Sequence, residues 1–252
     1  MGEHESSERG RVALVTGAAG GLGPACCRSL AARGMTVVVA DLDGEGAQEV
    51  ATDLHLQGLP TESTRIDVCD RESVDAAVGS VVDQHHRIDV VVNLAGVIRN
   101  AVAHKIEDAD FRLVMDTHLM GVLNTTRSVL PHMRSAGYGR IVSMSSIAVR
   151  GSVAGGAYGA AKGAIEGFTR SVAMEVAPHG VTANCVAPGL ISAGMFTTVP
   201  KDYQEASLAR VPMARAGEAD EVAACVSFLA SSAASYVTGQ VLYVCGGADL
   251  GF

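Results

Sequence analysis

The sequence predicts an α/β protein built on a doubly wound parallel sheet of about seven strands, with helices on both faces. Short apolar runs rich in valine alternate with longer segments of helical composition. These runs are apolar throughout rather than at every second residue, which is typical of strands buried on both faces. Two of the runs end at glycines, where the chain can turn sharply toward the next element.

The predicted strands and helices follow one another along most of the chain. The strands are residues 12–16, 36–40, 64–68, 88–93, 140–144, 181–187 and 241–245. The helices are residues 22–33, 45–56, 71–85, 111–134, 158–177 and 219–231. Segments 149–156 and 190–217 show no clear pattern, and both follow strand ends, where open α/β sheets bind ligands.

The composition indicates one domain over residues 11–252, preceded by a disordered leader over residues 1–10. The net charge of −8 and the lack of a basic block argue against nucleic acid as a partner. No apolar stretch reaches the ~20 residues that span a bilayer, so we predict no membrane contact and a cytoplasmic location. The six cysteines lack CxxC spacing, so we interpret them as reduced thiols and predict no metal site.

A glycine-rich turn joins the first predicted strand to the first predicted helix. It reads Thr-Gly-Ala-Ala-Gly-Gly-Leu-Gly over residues 16–23. Backbone amides at the start of a helix attract phosphate, and glycines let a pyrophosphate approach closely. Because an acidic residue follows about 20 residues later, the pattern predicts a dinucleotide site. The predicted contacts in the turn are Gly17, Gly21, Leu22 and Gly23.

Asp41, at the end of the second strand, is the acidic residue of this pattern. Its carboxylate can accept hydrogen bonds from the adenosine ribose, and it would repel a 2′-phosphate. No Lys or Arg lies in the glycine turn, and Leu42 follows Asp41. We therefore predict NAD rather than NADP as the cofactor. The alternative is that Asp41 only caps a turn, which would leave the cofactor open.

Tyr158 and Lys162 are four residues apart on a predicted helix, and this spacing places both on one face. A free tyrosine has a pKa near ~10, too high for a base at neutral pH. A neighbouring ammonium group favours the phenolate and lowers that pKa. The pair is therefore predicted to work as a proton acid/base.

Together these motifs resemble those of the short-chain dehydrogenase/reductase family, from about Arg11 to the C-terminus. The further motifs that carry the resemblance are Asp67-Val68, residues 93–96, Ser145-Ser146, residues 184–189 and Gly246-Gly247. The resemblance implies a Rossmann-like sheet of seven strands and a homotetramer.

The resemblance also implies roles for individual residues. Tyr158 exchanges a proton with the substrate oxygen, Lys162 lowers the Tyr158 pKa and holds the nicotinamide ribose, and a serine orients the substrate. The register of the preceding strand selects Ser146 as that serine, whereas the usual gap before Tyr158 would select Ser145; we select Ser146. The remaining implied cofactor contacts are Asp67, Val68, Asn93, Ala95, Gly96, Pro188, Gly189, Ile191 and Ser192.

Two residues depart from the family pattern at positions that matter. His118 stands where the family usually has an Asn that holds a water of the proton relay. An imidazole can also relay protons, with a pH profile shifted toward its own pKa. The alternatives are a spacer histidine beside a rebuilt water relay, or a damaged site. Ser192 stands beside the usual threonine position and is expected to supply the hydroxyl in its place.

We therefore predict an NAD(H)-dependent oxidoreductase that acts on a small-molecule secondary alcohol or ketone. The catalytic residues would be Ser146, Tyr158, Lys162 and His118. One alternative is an NADPH-dependent 3-oxoacyl-thioester reductase, which the lack of a cation near Asp41 disfavours. The other is a catalytically weak dinucleotide-binding protein, which the His118 departure keeps open.

Overall fold

The computed structural model describes residues 8–199 and 201–249. One parallel sheet has the strand order β3-β2-β1-β4-β5-β6-β7. The strands are β1 (Val12–Thr16), β2 (Thr36–Asp41), β3 (Thr61–Arg65), β4 (Val90–Asn93), β5 (Gly139–Met144), β6 (Val181–Pro188) and β7 (Val241–Val244). The order reverses between β1 and β4, so the crevice at their carboxyl ends is the position where such sheets bind ligands. The predicted fold class is confirmed.

Helices cover both faces of this sheet. They are α1 (Gly23–Ala31), α2 (Gly44–Leu56), α3 (Arg71–His85), α4 (Asp108–Met115), α5 (Gly121–Ala136), α6 (Gly156–Val176), α7 (Lys201–Leu208) and α8 (Ala219–Leu229). Helices α1, α2 and α8 pack on one face, and α3, α5 and α6 pack on the other. Each face encloses its own apolar core. Along β1, Ala13 and Val15 point into the first core while Val12 and Leu14 point into the second, which explains the unbroken apolar run.

The sequence prediction of the third strand was wrong by three residues. Residues 64–68 were expected, but the strand is Thr61–Arg65. It lies at the sheet edge, where one face is less covered, so its polar residues are tolerated. Ile66 and Val68 attracted the prediction because they are apolar, yet they are buried in the loop that follows.

Two helix predictions also need correction. The single helix expected over residues 111–134 is interrupted by a π-helical turn, Asp116–Met120, between α4 and α5. The segment 190–217, read as lacking order, contains α7 and a short 3-10 helix at Gly194–Thr198. Segment 149–156 carries the end of another 3-10 helix, Ile147–Arg150.

The predicted leader falls mostly on residues 1–7, which lie outside the described residues. Glu8 is described and is only 1% exposed. Its carboxylate pairs with Arg11 at 2.7 Å and accepts a hydrogen bond from the backbone N–H of Ser232. The chain is therefore attached to the body of the molecule from Glu8 onward.

Within residues 8–199 and 201–249, no helix is long and apolar enough to cross a bilayer. The same ranges contain no group of three His, Cys, Asp or Glu side chains arranged to hold a metal ion. Every cysteine is a free thiol, and Cys26, Cys27 and Cys185 are buried as small apolar residues.

Candidate active site

The glycine turn after β1 lies at the switch point and touches the turn after β4. Gly17 has a φ of +68°, and a side chain there would come within 2.5 Å of the backbone of Ala95. A side chain at Gly23 would come within 2.4 Å of the carbonyl oxygen of Ala18. A larger residue at Gly17 would push the two turns apart, and one at Gly23 would distort the glycine turn itself, so both positions require glycine.

The start of α1 is suited to an anion. Leu22 occupies the N-cap position, and no described side chain caps the helix, whereas Asp43 and Asp70 cap α2 and α3. No acidic residue lies in the first turn of α1, and the side of Gly20 opens on space. The positive end of a helix that carries neither a side-chain cap nor an acidic residue among the described residues fits the pyrophosphate of a dinucleotide. The residues present therefore fit the predicted cofactor.

Asp41 connects the glycine turn to the loop after β2. One carboxylate oxygen accepts from the N–H of Ala19 at 3.0 Å, and the other accepts from the N–H of Asp43 at 3.0 Å. The structure thus shows the turn-capping role that the sequence left as an alternative. Each oxygen keeps a lone pair, so capping does not prevent contact with a ribose hydroxyl.

A cation that the sequence analysis missed lies beside Asp41. Arg65, the last residue of β3, is the register partner of Asp41. Its aliphatic stem packs against Gly44, which has no side chain to obstruct it. Arg65 is exposed and forms no ion pair with another described residue. The strand misplacement hid this arginine, since residue 65 was expected as the second residue of the third strand rather than as its last.

On the adenosine side, the predicted contacts have different orientations. Asp67 accepts the N–H of Cys69 with one oxygen, and the carbonyl of Val68 accepts from the Asn124 amide at 2.8 Å. The Asn93 side chain points inward, where it donates to Ser143 and accepts from Thr125. Asn93 can therefore reach a cofactor only through its backbone, and its side chain holds β4, β5 and α5 together.

Ser146, Tyr158 and Lys162 come together at the carboxyl end of β5. Tyr158 and Ser146 share a side-chain hydrogen bond. The ammonium of Lys162 lies 5.4 Å from the centre of the Tyr158 ring and donates to the carbonyl of Met144 at 2.7 Å. Ser145 points the other way, into the interior, where its hydroxyl donates to Glu166. Of the two serines, Ser146 is therefore the one that faces Tyr158.

Burial controls the proton affinities of this group. It raises the pKa of Tyr158, and the Ser146 hydrogen bond opposes that shift. Burial lowers the pKa of Lys162 to about 7. The expected lowering of the Tyr158 pKa by Lys162 is thus not found in this conformation, because the ammonium is directed at the Met144 carbonyl.

His118 lies in the π-helical turn and is 1% exposed. Its Nε2 lies 2.8 Å from the carbonyl oxygen of Val97 and 3.1 Å from the Val97 N–H, while Nδ1 has no partner among the described residues. The ring meets that of Tyr158 edge-on at 5.3 Å. Burial, and then the charge of Lys162, lower the pKa of His118 to about 3. This shift does not support a titration of His118 near neutrality, because burial disfavours the charged imidazole, while a relay through the neutral ring remains a prediction.

Gly96 and the segment after β6 complete the crevice. A side chain at Gly96 would come within 2.3 Å of the His118 ring, so this glycine makes room for the histidine. Pro188 ends β6, and the N–H of Gly189 donates to Val244 of β7. Ile191 is buried. The Ser192 hydroxyl donates to Glu218 at 2.5 Å, so it is engaged with the start of α8.

The comparisons with known proteins cover nearly all of the chain. A family model described as enoyl-(acyl carrier protein) reductase matches residues 17–249. The chain is 37% identical over 240 residues to (2S)-[(R)-hydroxy(phenyl)methyl]succinyl-CoA dehydrogenase subunit BbsD of Thauera aromatica, which covers 95% of this chain and 97% of that protein. It is 37% identical over 241 residues to the 3-oxoacyl-(acyl-carrier-protein) reductase FabG of Thermotoga maritima, with coverage of 94% and 97%.

A solved structure agrees with these matches. The crystal structure of gox2181 superposes with a TM-score of 0.93 at 35% identity and covers 98% of both chains. The agreement of fold, sequence and motif positions shows that this chain belongs to the short-chain dehydrogenase/reductase family.

Proposed function

We propose that this oxidoreductase transfers a hydride between NAD(H) and a small secondary alcohol or ketone, with Tyr158 as the acid/base. The observation that carries the proposal is the grouping of Ser146, Tyr158 and Lys162 at the carboxyl end of β5, on the same side of the sheet as the carboxyl end of β1 and its glycine turn. A hydroxyl, a phenol and an ammonium at one sheet edge are what proton exchange with an alcohol oxygen requires.

In the proposed mechanism, each residue of this group has one task. The Ser146 hydroxyl donates a hydrogen bond to the substrate oxygen and orients it. Tyr158 gives its proton to that oxygen during reduction, or takes one during oxidation. Lys162, once directed toward Tyr158, stabilises the phenolate by its charge. When bound, the nicotinamide supplies the hydride acceptor or donor.

His118 is proposed to act as a neutral positioning residue rather than as a titrating relay. Its Nε2 contacts the backbone of Val97, and its ring packs against Tyr158. This holds the turn after β4 close to the acid/base. The unpartnered Nδ1 can serve a water or the Lys162 ammonium, and this would retain a relay without a change of charge on the ring.

NAD(H) is preferred because Asp41 places a negative charge at the end of β2, where a 2′-phosphate would be repelled. The start of α1 and the backbone of the turns would contribute equally to the binding of NAD(H) and NADP(H). The remaining proposed contacts are Gly17, Gly21, Leu22, Gly23, Asp67, Val68, Asn93, Ala95, Gly96, Pro188, Gly189, Ile191 and Ser192.

A second candidate function is the NADPH-dependent reduction of a 3-oxoacyl thioester. Arg65, beside Asp41 in register, supplies a cation that could offset the carboxylate toward a 2′-phosphate. The similarity to a 3-oxoacyl-(acyl-carrier-protein) reductase supports the same candidate. The grouping of Ser146, Tyr158 and Lys162 argues against the third candidate, a dinucleotide-binding protein with weak catalysis. A homotetramer remains a prediction that rests on the resemblance, and a cytoplasmic location remains a prediction from the amino-acid sequence alone.

The deciding experiment follows nucleotide absorbance with NADH and NADPH across cyclic, aromatic and 3-oxoacyl carbonyl substrates. We expect turnover with NADH on a simple ketone. Turnover only with NADPH on an oxoacyl thioester would establish the second candidate, and tight NADH binding without any turnover would establish the third.

The Tyr158→Phe variant tests the assigned acid/base. It removes one hydroxyl, so turnover should fall below detection while NADH binding, followed by nucleotide fluorescence, stays within about twofold. The control is Tyr236→Phe, which changes a fully exposed tyrosine. Normal turnover by Tyr158→Phe would rule out the proposed mechanism.

A further inference from the structure

We propose that the buried pair Ser145–Glu166 is a positioning device that keeps Ser146 aligned with Tyr158 during the reaction. The inference rests on the proposed function, since it concerns the same acid/base. Neither residue belongs to the catalytic group, and both lie behind it. The device connects the end of β5, which carries Ser146, to α6, which carries Tyr158.

The pair is buried and its geometry is well defined. Ser145 is 1% exposed, Glu166 is 8% exposed, and the serine hydroxyl donates to Oε1 of Glu166 at 2.8 Å. The Ser145 N–H donates to Val186 at 2.7 Å, which ties the same residue to β6. The other carboxylate oxygen of Glu166 accepts from Arg170 at 3.2 Å, at the surface end of the pair. A hydrogen bond to a carboxylate is about twice as strong as one between neutral groups.

This bond is one of two between the same two elements. Lys162 donates to the carbonyl of Met144, and one helical turn later Glu166 accepts from the hydroxyl of Ser145. The last residue of β5 and the residue that follows it are therefore held by residues four apart on α6. Catalysis needs the Lys162 ammonium at Tyr158 and the cofactor, so the Met144 bond weakens when Lys162 changes partner. The Ser145–Glu166 bond then remains to hold Ser146 in place.

The consequence is a catalytic effect that exceeds any effect on folding. Misplacing a reacting group by about 1 Å costs on the order of 100-fold in rate. A merely structural pair would lower the melting temperature, while the folded enzyme would keep its kcat. A positioning pair changes kcat and the proton affinity of Tyr158 even well below the melting temperature.

The variants are Ser145→Ala, Glu166→Met, Glu166→Gln and the Ser145→Ala/Glu166→Met double. The first two remove the bond, so kcat should fall about tenfold with NADH affinity unchanged. Glu166→Gln keeps an acceptor oxygen for Ser145 and should restore most of the rate. The double variant should be no worse than either single, because both remove the same bond. The control is Arg170→Gln, which contacts the same carboxylate from the surface and should leave kcat unchanged.

A second measurement does not depend on finding a substrate. The protein is labelled with ¹³C at the phenol carbon of its tyrosines and followed by NMR. The signal of Tyr158 is the one that is missing in Tyr158→Phe. Ser146 lowers the pKa of Tyr158 through their hydrogen bond, so misalignment should move its titration to higher pH. Lys162 and His118, the other titratable groups beside it, are the same in every variant.

The kinetic measurement and the tyrosine titration test the proposed function and the positioning role separately. Failure of the wild type with every carbonyl would overturn the proposed function, while the titration would still decide about the pair. An unchanged kcat together with an unchanged Tyr158 titration in Ser145→Ala and Glu166→Met would overturn the positioning role. Additive losses in the double variant would also overturn it.

Discussion

At the scale of single residues, the groups around Tyr158 are controlled by burial more than by one another. His118 and Lys162 are both basic and both nearly inaccessible to water, at 1% and 3% exposure. Burial disfavours their charged forms, so the pKa of each is lowered, to about 3 and about 7. Their charges therefore depend on pH in ways that their ordinary pKa values do not predict.

For His118, we predict a stability effect on the acid side and no titration of activity near neutrality. The folded pKa lies near 3 and the unfolded value near 6.5, so the unfolded chain binds the extra proton between them. Stability is therefore lost as pH falls below about 6.5. In His118→Asn, this loss between pH 6.5 and 4.5, measured by urea unfolding, should be smaller than in the wild type.

The control for this prediction is His132→Asn, which changes an exposed histidine of α5 and should leave the wild-type pH dependence in place. The pH profile of kcat/KM between 6 and 8 should keep its shape in both variants. An apparent pKa near 6.5 that disappears only in His118→Asn would contradict the neutral role and restore the titrating relay.

For Asp41, we predict that removal of the charge relaxes the choice of cofactor. Asp41→Asn keeps an acceptor for the N–H of Ala19 or Asp43 but removes the charge that repels a 2′-phosphate. The ratio of kcat/KM for NADH to that for NADPH should fall about tenfold or more, which corresponds to roughly 1.4 kcal/mol. Arg65→Gln is the companion variant, and it should raise the same ratio if Arg65 contributes to binding a 2′-phosphate. An unchanged ratio in Asp41→Asn would show that Asp41 only caps the turn.

At the scale of elements, α6 carries a charge that burial disfavours. Lys162 has a pKa of about 7 in the folded protein and about 10.5 in the unfolded chain, so the unfolded chain binds more protons between these values. The cost is fully present below pH 7 and decreases as pH rises. From pH 7 to 8.5, the wild type should therefore gain about 1–2 kcal/mol of unfolding free energy relative to Lys162→Met.

The matched control for the α6 prediction is Lys105→Met, which changes an exposed lysine. Burial raises the pKa values of the Cys26 and Cys27 thiols, which therefore affect stability once the unfolded thiols ionise near pH ~8.5, but this effect is common to the wild type and Lys162→Met and cancels in their difference. Parallel stability curves for the wild type and Lys162→Met over this range would show that Lys162 is not charged at a cost in the free enzyme.

Elements with an unbroken apolar run or a clear helical period could be predicted from the sequence, and elements without such a pattern could not. β1 and β6 were predicted within one residue because their apolar runs are unbroken. β3 lies at the edge with polar residues, and the apolar Ile66 and Val68 after it drew the prediction forward. The π-helical turn at Asp116–Met120 has no residue pattern that distinguishes it from an α-helix, so the prediction extended one helix through it.

The same distinction applies to the candidate site. Backbone requirements at Gly17 and Gly23 are visible as glycines, and the Tyr158–Lys162 spacing is visible on one helix. The direction of a side chain is not: Asn93 points inward, and Lys162 is directed at Met144. Ser145 and Glu166 are 21 residues apart in sequence, and only the packing of α6 against β5 brings them together.

At the scale of the whole molecule, the two ends of the strands have different roles. The candidate site lies at the carboxyl ends, while polar groups at the amino ends attach the N-terminal segment to the rest of the domain. There, the guanidinium groups of Arg11 and Arg140 lie on the Tyr138 ring, 3.7 and 4.2 Å from its centre. Glu8 pairs with Arg11, and Arg140 donates to the carbonyl of Ser231. This cluster connects the start of the chain to β5 and to the segment after α8.

We predict that Glu8→Ala destabilises the whole molecule without changing its chemistry. The substitution removes the acceptor for the Ser232 N–H and the carboxylate that faces Arg11, a loss of about 2 kcal/mol. The melting temperature should fall by about 4–8 °C, while KM and kcat at 20 °C remain those of the wild type. The control is Glu49→Ala, which changes an exposed glutamate of α2 and should shift the melting temperature by less than about 2 °C.

Because the Ser232 and Arg11 bonds outweigh burial and lower the pKa of Glu8, the difference between Glu8→Ala and the wild type should shrink as pH falls below about 4. Equal melting temperatures for Glu8→Ala and Glu49→Ala would show that the segment before β1 contributes nothing to the stability of the domain.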